Sequence, residues 1–203
     1  MAFDPFKCPT SLDLPDFSDK DNCQTSIDQI QKLALQKTTG AAFTTTTIKS
    51  SSAWATAIAA TDPDLITVSP YLQKVTITAG DVIETADVNN LNGIPQHEGF
   101  GFTVVTAEIH NAPHTVISEF KKIATLTARQ AGQTQAKAYF FGENSRITAG
   151  STGDGIPVYN MVVSDVMSEG KRKPNVHKLR FLLPDGWSES INTFEATFDP
   201  TTL

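Results

Sequence analysis

The clearest hydrophobic pattern in the chain is an alternation over residues 100–109, where apolar side chains fall on both faces of an extended strand. We therefore expect a strand that is buried on both sides for part of its length. After Pro113 the period changes, and apolar residues recur at helical spacing to about residue 130, with charged residues on the opposite side. Gly132 then ends the repeat. The pattern predicts one main amphipathic helix over residues 113–130.

Short apolar runs bounded by turn-forming residues predict most of the remaining strands. These runs are residues 65–68, 75–78, 82–85, 136–141, 156–166, 176–183 and 191–198. Their length and spacing are typical of a β-sandwich or barrel and not of alternating strand and helix units. We therefore expect a mainly β protein, an antiparallel β-sandwich or barrel with one flanking amphipathic helix.

Two segments nearer the N-terminus carry weaker patterns. Residues 25–37 place apolar side chains at helical spacing after Thr25 and Ser26, and Gly40 follows, so they predict a short amphipathic helix. Residues 43–52 begin with a β-branched threonine run and end in a serine cluster. That composition predicts an exposed strand followed by a flexible loop.

The first 24 residues predict an extended N-terminal arm that precedes a single β-sandwich-like domain, residues 25–203. Three prolines prevent a continuous helix there, and spaced apolar side chains need a surface to lie against. Two other segments are candidate contact sites. One is a long loop over residues 87–99, and the other is a basic hairpin tip at residues 171–173. The candidate subunit-interface residues are therefore Phe3, Phe6, Leu12, Leu14, Phe17, Leu91, Ile94, Lys171, Arg172 and Lys173.

Charge and composition narrow the classes of function. The 203 residues carry a formal net charge of −6, and only 19% of them are charged, so hydroxyl and amide side chains must supply much of the polar surface. This balance argues against a protein whose affinity for nucleic acid depends on neutralising phosphates. The chain also has no apolar run of roughly 18 residues and no secretory leader pattern. We expect a soluble chain made in the cytosol, without a membrane partner.

No motif predicts a catalytic residue, a cofactor or a metal site. His110 and His114 are four residues apart, but Pro113 lies between them and no third ligand is near. The chain has no Gly-x-Ser-x-Gly elbow, and the Gly150–Gly155 segment has the features of a hairpin turn and not of a phosphate-binding loop. Cys8 and Cys23 cannot complete a zinc shell alone. We expect both to be reduced, with a disulfide as the alternative.

Two further features have ordinary explanations beside functional ones. Asp62-Pro63-Asp64 could hold a cation, but a solvated acidic surface explains it better because the spaced ligands of a calcium loop are missing. Trp54 and Trp187 fit core anchors and interface contacts equally well.

The order of these elements resembles virion structural proteins of tailed bacteriophages, and among them the tail-tube and neck-ring family. The likeness spans most of residues 40–200 and rests on element order and composition. It includes a helix inserted between the 99–105 and 138–141 segments, and the phrases at residues 67–72, 75–81 and 155–158.

The resemblance implies a β-sandwich with a flanking helix that assembles into rings, usually hexameric, around a channel through which the genome leaves. It implies localisation in the virion, with other virion proteins as neighbours and passing DNA that is not bound specifically. A channel wall of acidic and hydroxyl side chains would let DNA slide without holding it. In that reading, three segments contact neighbouring subunits: the N-terminal arm of residues 1–24, the 86–99 loop, and the basic tip Lys171-Arg172-Lys173.

Two other hypotheses stay open at this point. A capsid decoration or head-fibre protein would be built from similar β-sandwich elements and would attach to the capsid. A carbohydrate-binding module or enzyme would need a concave pocket lined by Trp54, Trp187 and the carboxylates around Asp62.

Overall fold

The computed structural model describes Ile27 and residues 29–85, 96–128, 136–168, 170 and 173–203. The predicted N-terminal arm, residues 1–24, lies outside the described residues. Eleven strands and two α-helices are found in the described part. The strands are β1 Lys32–Lys37, β2 Ile66–Val68, β3 Leu72–Thr78, β4 Val82–Thr85, β5 Gln96–Phe100, β6 Thr103–His110, β7 Ala136–Phe141, β8 Arg146–Gly150, β9 Ile156–Val163, β10 Val176–Leu183 and β11 Ile191–Glu195. The helices are α1 Ser51–Ile58 and α2 His114–Ala128, with single 3-10 turns at Thr47–Lys49, Trp187–Glu189 and Pro200–Thr202.

Nine of these strands form one antiparallel sheet that β9 divides into two layers. Residues 156–158 of β9 pair with β7, whereas residues 159–163 pair with β10. Between these two parts, Asn160 has a φ of 45°, a left-handed conformation that accompanies the change of partner. We call β2-β1-β7-β8-β11 sheet I and β9-β10-β6-β3 sheet II.

The main core lies between the two sheets. Alternate side chains of β6 and β10 face inward from sheet II, and those of β1 and β7 face inward from sheet I. Phe140 and Phe181 meet across this space, with ring centroids 6.3 Å apart. Ile117 and Phe120 of α2 complete the same core. The sandwich with a flanking amphipathic helix is therefore confirmed.

A second core covers the opposite face of sheet I. Trp54 of α1 is fully buried there, and its ring lies edge-on to those of Tyr139 and Phe141 at centroid distances of 5.3 and 5.1 Å. Phe43 packs on the same indole at 4.4 Å. Sheet I is thus the middle layer, and all six residues of β7 are buried.

An ion pair between buried Lys137 and half-exposed Asp154 joins strand β7 to two loops at one end of sheet I. The Lys137 side chain is 3% exposed, and its Nζ lies 2.6 Å from Asp154 Oδ1 and donates to the Gly40 carbonyl at 3.0 Å. The same Asp154 oxygen accepts the Gly155 N–H. Tyr139 donates its hydroxyl proton to Gln36 nearby, and burial, together with the charge of Asp154, raises the pKa of Tyr139 well above its usual value.

The structure corrects both predictions made for the segment before residue 53. Residues 32–37 are strand β1 and not part of a helix, because β1 is inserted between β2 and β7 and buries both of its faces. Two-sided burial produced an apolar spacing that resembled helical periodicity. The predicted strand over residues 43–52 is instead a 3-10 turn and the start of α1, because Ile48 and Trp54 are drawn into the second core.

Three smaller differences concern strands. In β6 only one face is buried, since the outward residues are exposed or half-buried. Strand β8 was missed, because its short run lies between two turns. Part of the predicted 87–99 loop is β5, while residues 86–95 lie outside the described part.

Candidate assembly surfaces

Strands β4 and β5 form a separate two-stranded sheet between the adjacent strands β3 and β6. We call this small sheet the arm; it is distinct from the N-terminal arm predicted for residues 1–24. Its base is a close crossing of two glycines, where a Cβ on Gly80 would lie 2.1 Å from the Gly101 carbonyl oxygen. Gly101 donates its N–H to the Asp81 carbonyl at 2.8 Å. Phe100 donates its N–H to Asp185 Oδ2 at 3.3 Å. Backbone contacts therefore fix the base of the arm to the sandwich.

The arm exposes large apolar side chains. Val82, Ile83 and Phe100 are 47%, 48% and 50% exposed. The chain carries no lysine or arginine between Lys74 and Lys121, so the sequence of the arm is acidic as well as apolar. Clustered apolar side chains on a surface mark contact sites in soluble proteins.

The outward side of sheet II has a different character, and we call it the outer face. It is formed by Gln73, Lys74, Thr76, Thr106, Glu108, Lys178 and Arg180, with Val162 beside Arg180 on β9 and with Val104, Leu182 and Tyr159 at the end nearest the arm. Across the strands, Thr76, Thr106 and Arg180 are register partners in one row. The two threonine hydroxyls are 2.6 Å apart. The middle of this face therefore carries hydroxyl groups and charges, together with one apolar side chain, Val162, which is the register partner of Arg180 on β9.

Charges on the outer face are unevenly paired. Glu108 Oε2 lies 3.0 Å from Lys74 Nζ and 3.0 Å from His110 Nε2. These contacts, the hydrogen bond from His110 first, lower the pKa of Glu108 below its usual value, so this carboxylate is ionised at neutral pH. The side chains of Lys178 and Arg180 form no ion pair with any residue in the described part of the chain.

Strand β3 is an edge of sheet II. It pairs with β6 on one side, and from residue 73 to residue 78 no described strand pairs with its other side. Lys74, at a φ of 50°, marks a bulge in this edge. Unpaired edges offer backbone donors and acceptors to a further strand, and bulges limit how far such pairing can run.

Of the ten predicted interface residues, the structure describes one. Lys173 is the one member that it describes: an exposed residue in the β9–β10 connection whose N–H donates to the Gly170 carbonyl at 3.3 Å. The others lie outside the described residues, namely Phe3, Phe6, Leu12, Leu14, Phe17, Leu91, Ile94, Lys171 and Arg172. Their role as subunit contacts stays a prediction.

The residues considered for catalysis or ion binding have structural partners. Asp62 pairs with Lys37 at 2.6 Å, and Asp64 Oδ1 accepts the Ala41 N–H. The described residues contain no group of three or more side chains arranged to hold a metal ion. His114 lines an open groove of about 580 Å³ beside the Lys121–Asp165 ion pair, and His177 lines it from β10.

Both tryptophans are core anchors. Trp54 donates its indole N–H to the Ile48 carbonyl at 2.7 Å, and Trp187 donates to the Thr103 hydroxyl at 3.1 Å. The two rings belong to different cores. The concave pocket that would motivate a carbohydrate-binding module, lined by both tryptophans, is therefore not present in the described part of the molecule.

Sequence reasoning missed the outer face and the arm as surfaces. The signal for the outer face was the alternation of Lys178 and Arg180 with buried Leu179 and Phe181, which places both cations on one side of β10. The signal for the arm was the acidic stretch without lysine or arginine. Neither described helix is long and apolar enough to cross a membrane.

Comparisons with known proteins do not identify a family for this chain. No family model and no curated protein matches the sequence. Among solved structures, a chain from the virion of a native gene transfer agent (GTA) particle matches with a TM-score of 0.37 and 8% sequence identity. The match covers 63% of this chain and 88% of that chain. A TM-score of this size describes a partial similarity of shape.

Proposed function

We propose that the chain is a structural subunit of a virion of the tailed-phage type, which oligomerises around the DNA-ejection channel as a tail-tube or neck-ring protein. A ring of identical subunits, six as the first choice, belongs to the same proposal. Its other partners are neighbouring virion proteins and DNA that passes without sequence-specific binding. The subunit is made in the cytoplasm of the host bacterium and works in the virion.

The observation that carries this proposal is the exposed apolar surface of the arm. Val82, Ile83 and Phe100 leave about half of their surface in water, at a free-energy cost of roughly 25 cal/mol per Å². A second protein surface would remove that cost. Because the base of the arm is fixed by the Gly80–Gly101 crossing, the same side chains are held ready for contact in every copy.

Two further features support a ring. The unpaired edge of β3 can accept a strand from a neighbour, which adds backbone hydrogen bonds and covers the edge. If the arm of one subunit contacts the β3 edge of the next, two different surfaces meet, and the contact is heterologous. Heterologous contacts give a ring when the rotation from subunit to subunit closes. A sandwich with a helix flanking it is also the architecture that the resemblance to tail-tube and neck-ring proteins implies.

Sedimentation velocity and negative-stain electron microscopy of the purified protein test the proposal. We expect rings or stacked rings whose abundance rises with protein concentration. The variant Ile83→Ser should reduce assembly at least about tenfold, the effect of about 1.4 kcal/mol per contact, without changing monomer stability. Leu65→Ser is the matched control, because Leu65 is 41% exposed but lies outside the arm.

A protein that stays monomeric at high concentration and forms no rings would contradict the proposal. Equal assembly of the Ile83 and Leu65 variants would leave the ring in place but remove the arm as its contact. Three-fold particles that attach to capsids would favour a capsid decoration protein instead.

A further inference from the structure

We propose that the outer face of sheet II contacts the phosphate backbone of DNA, through Lys178 and Arg180 with Lys74 beside them. The inference deepens the proposed function and rests on it, because it assigns this face to the wall of the channel. It also replaces the expectation of an acidic wall with a wall of hydroxyl and basic side chains.

The geometry places the cations on one surface. Lys178 and Arg180 are two residues apart on β10, so their side chains leave the same side of the strand about 7 Å from each other. Their register partners on β6 are Glu108 and Thr106. Lys74 approaches Glu108 from β3. These five residues line one open depression of about 320 Å³.

The charge balance of this depression is positive. It holds three cationic side chains and one carboxylate, in a chain whose formal net charge is −6. The Glu108 carboxylate is 18% exposed and contacts Lys74 and His110. Its negative charge therefore neutralises Lys74 more than it neutralises Lys178 and Arg180. Lys178 and Arg180 form no ion pair within the described residues. Cations without a carboxylate partner attract anions, and a guanidinium can hold a phosphate through two hydrogen bonds.

The composition of the face favours a phosphate backbone over an acidic protein. Protein interfaces have a core that is poor in charged residues and rich in aromatic ones, whereas the middle of the outer face has two threonine hydroxyls and four charged groups. Hydroxyl groups and basic side chains are the groups that contact nucleic-acid phosphates. One exposed apolar side chain, Val162, lies beside Arg180, and the other large apolar side chains lie at the arm end of the face.

A few cations per subunit suit sliding better than gripping. Each neutralised phosphate contributes about −0.9 to the slope of log K against log salt, so two or three contacts give weak, salt-sensitive and sequence-independent binding. In a ring the same contacts recur around the DNA. The overall negative charge of the chain weakens them further, so the wall guides DNA without stopping it.

Fluorescence anisotropy of a labelled DNA duplex of mixed sequence tests the inference over a range of salt concentrations, with the assembled protein. Lys178→Gln/Arg180→Gln should weaken binding at low salt about tenfold and make the salt slope shallower by about 2. The control Lys49→Gln/Lys122→Gln removes two exposed cations elsewhere and should keep the wild-type slope. Lys178→Arg/Arg180→Lys keeps both charges and should bind as the wild type does.

The outcomes separate this inference from the proposed function. If the wild type forms rings and the Lys178/Arg180 variant keeps the wild-type slope, the inference is wrong and the ring proposal stands. If that variant loses its rings while the control keeps them, the face is a protein contact and the inference is also wrong. If the wild type forms no rings, the ring proposal fails, and the slopes of the monomers still decide whether this face binds DNA.

Discussion

Sheet I and sheet II are joined through strand β9, which pairs with β7 as well as with β10, but they are buried very differently. Every residue of β7 in sheet I is buried, because one face packs on sheet II and α2 and the other on α1 and the aromatic cluster around Trp54. In sheet II, β6 and β10 bury alternate residues only. The difference indicates a division of roles: sheet I holds the fold together, while sheet II leaves a surface, an edge and the arm available for partners.

The largest expected effect comes from emptying the core behind sheet I. Phe141→Ala should lower the free energy of unfolding by about 3–5 kcal/mol, because Phe141 is fully buried and packs on Trp54. Leu182→Ala on the half-buried outer face of sheet II should cost about 1 kcal/mol or less. Urea unfolding measures both. Similar losses in the two variants would show that the sheets contribute equally and would contradict the division of roles.

The next effect concerns the ion pair between buried Lys137 and half-exposed Asp154 at the end of sheet I. Asp154→Asn leaves the buried Lys137 ammonium without its anionic partner, and we expect a loss of about 1–3 kcal/mol. Asp62→Asn is the control, because the Lys37–Asp62 pair has the same 2.6 Å separation but both side chains are exposed. That variant should lose less than about 1 kcal/mol. Equal losses in urea unfolding would mean that burial of Lys137 adds nothing to the pair.

Most of the elements that the sequence predicted are buried on one side. The short apolar runs of β2, β3, β10 and β11 and the stripe of α2 were found because one face meets the core and the other meets water. The apolar runs of β4, which is exposed, and of β7, which is buried on both faces, were found because turn-forming residues bound them. The pattern failed at β1, where Leu33, Ala34 and Leu35 are all buried. It failed again at residues 43–52, where burial of Ile48 and Trp54 outweighed the β preference of the threonines.

Surfaces were harder to predict than strands. Lys178 and Arg180 become a pair facing Glu108 and Thr106 only through the register of β10 with β6, which a single sequence does not reveal. One of the two strands of the arm was predicted, since residues 82–85 were expected to form a strand. The other strand, β5, was assigned to a loop because residues 96–99 carry little apolar periodicity.

A smaller and local effect is expected at the base of the arm. Gly80→Ala would place a methyl group 2.1 Å from the Gly101 carbonyl oxygen, so the crossing must open, at a cost of about 1–3 kcal/mol to the local structure. Gly101→Ala is the control, because its Cβ would lie 3.5 Å from the nearest atom, the Asp81 carbonyl oxygen. Hydrogen exchange should show faster exchange of the Gly101 amide in Gly80→Ala, with β7 amides unchanged. Faster exchange in β7 as well would show that the arm is coupled to sheet I.

The smallest effect is a dependence on pH that belongs to the outer face. Because the pKa of Glu108 is lower in the folded protein than in the unfolded chain, its ion pairs stabilise the fold at neutral pH. That contribution is complete above the unfolded pKa, near 4.5, and is lost as the pH falls through the lower folded value. Glu108→Gln should therefore be less stable than the wild type by less than about 1 kcal/mol at pH 7, and the difference should shrink as the pH falls below the unfolded pKa and through the folded one.

Urea unfolding of both proteins at several pH values measures this difference. Glu195→Gln, at an exposed position of β11 in sheet I, provides the control for removing a carboxylate. A gap between Glu108→Gln and the wild type that stays constant from pH 7 to pH 3 would mean that the lost charge is not its cause. Closure of the gap would show that Glu108 is paired on the folded surface, with His110 and Lys74 as its partners. The pairing matters for the role of the outer face, because a carboxylate already held by Lys74 leaves Lys178 and Arg180 available to an external anion.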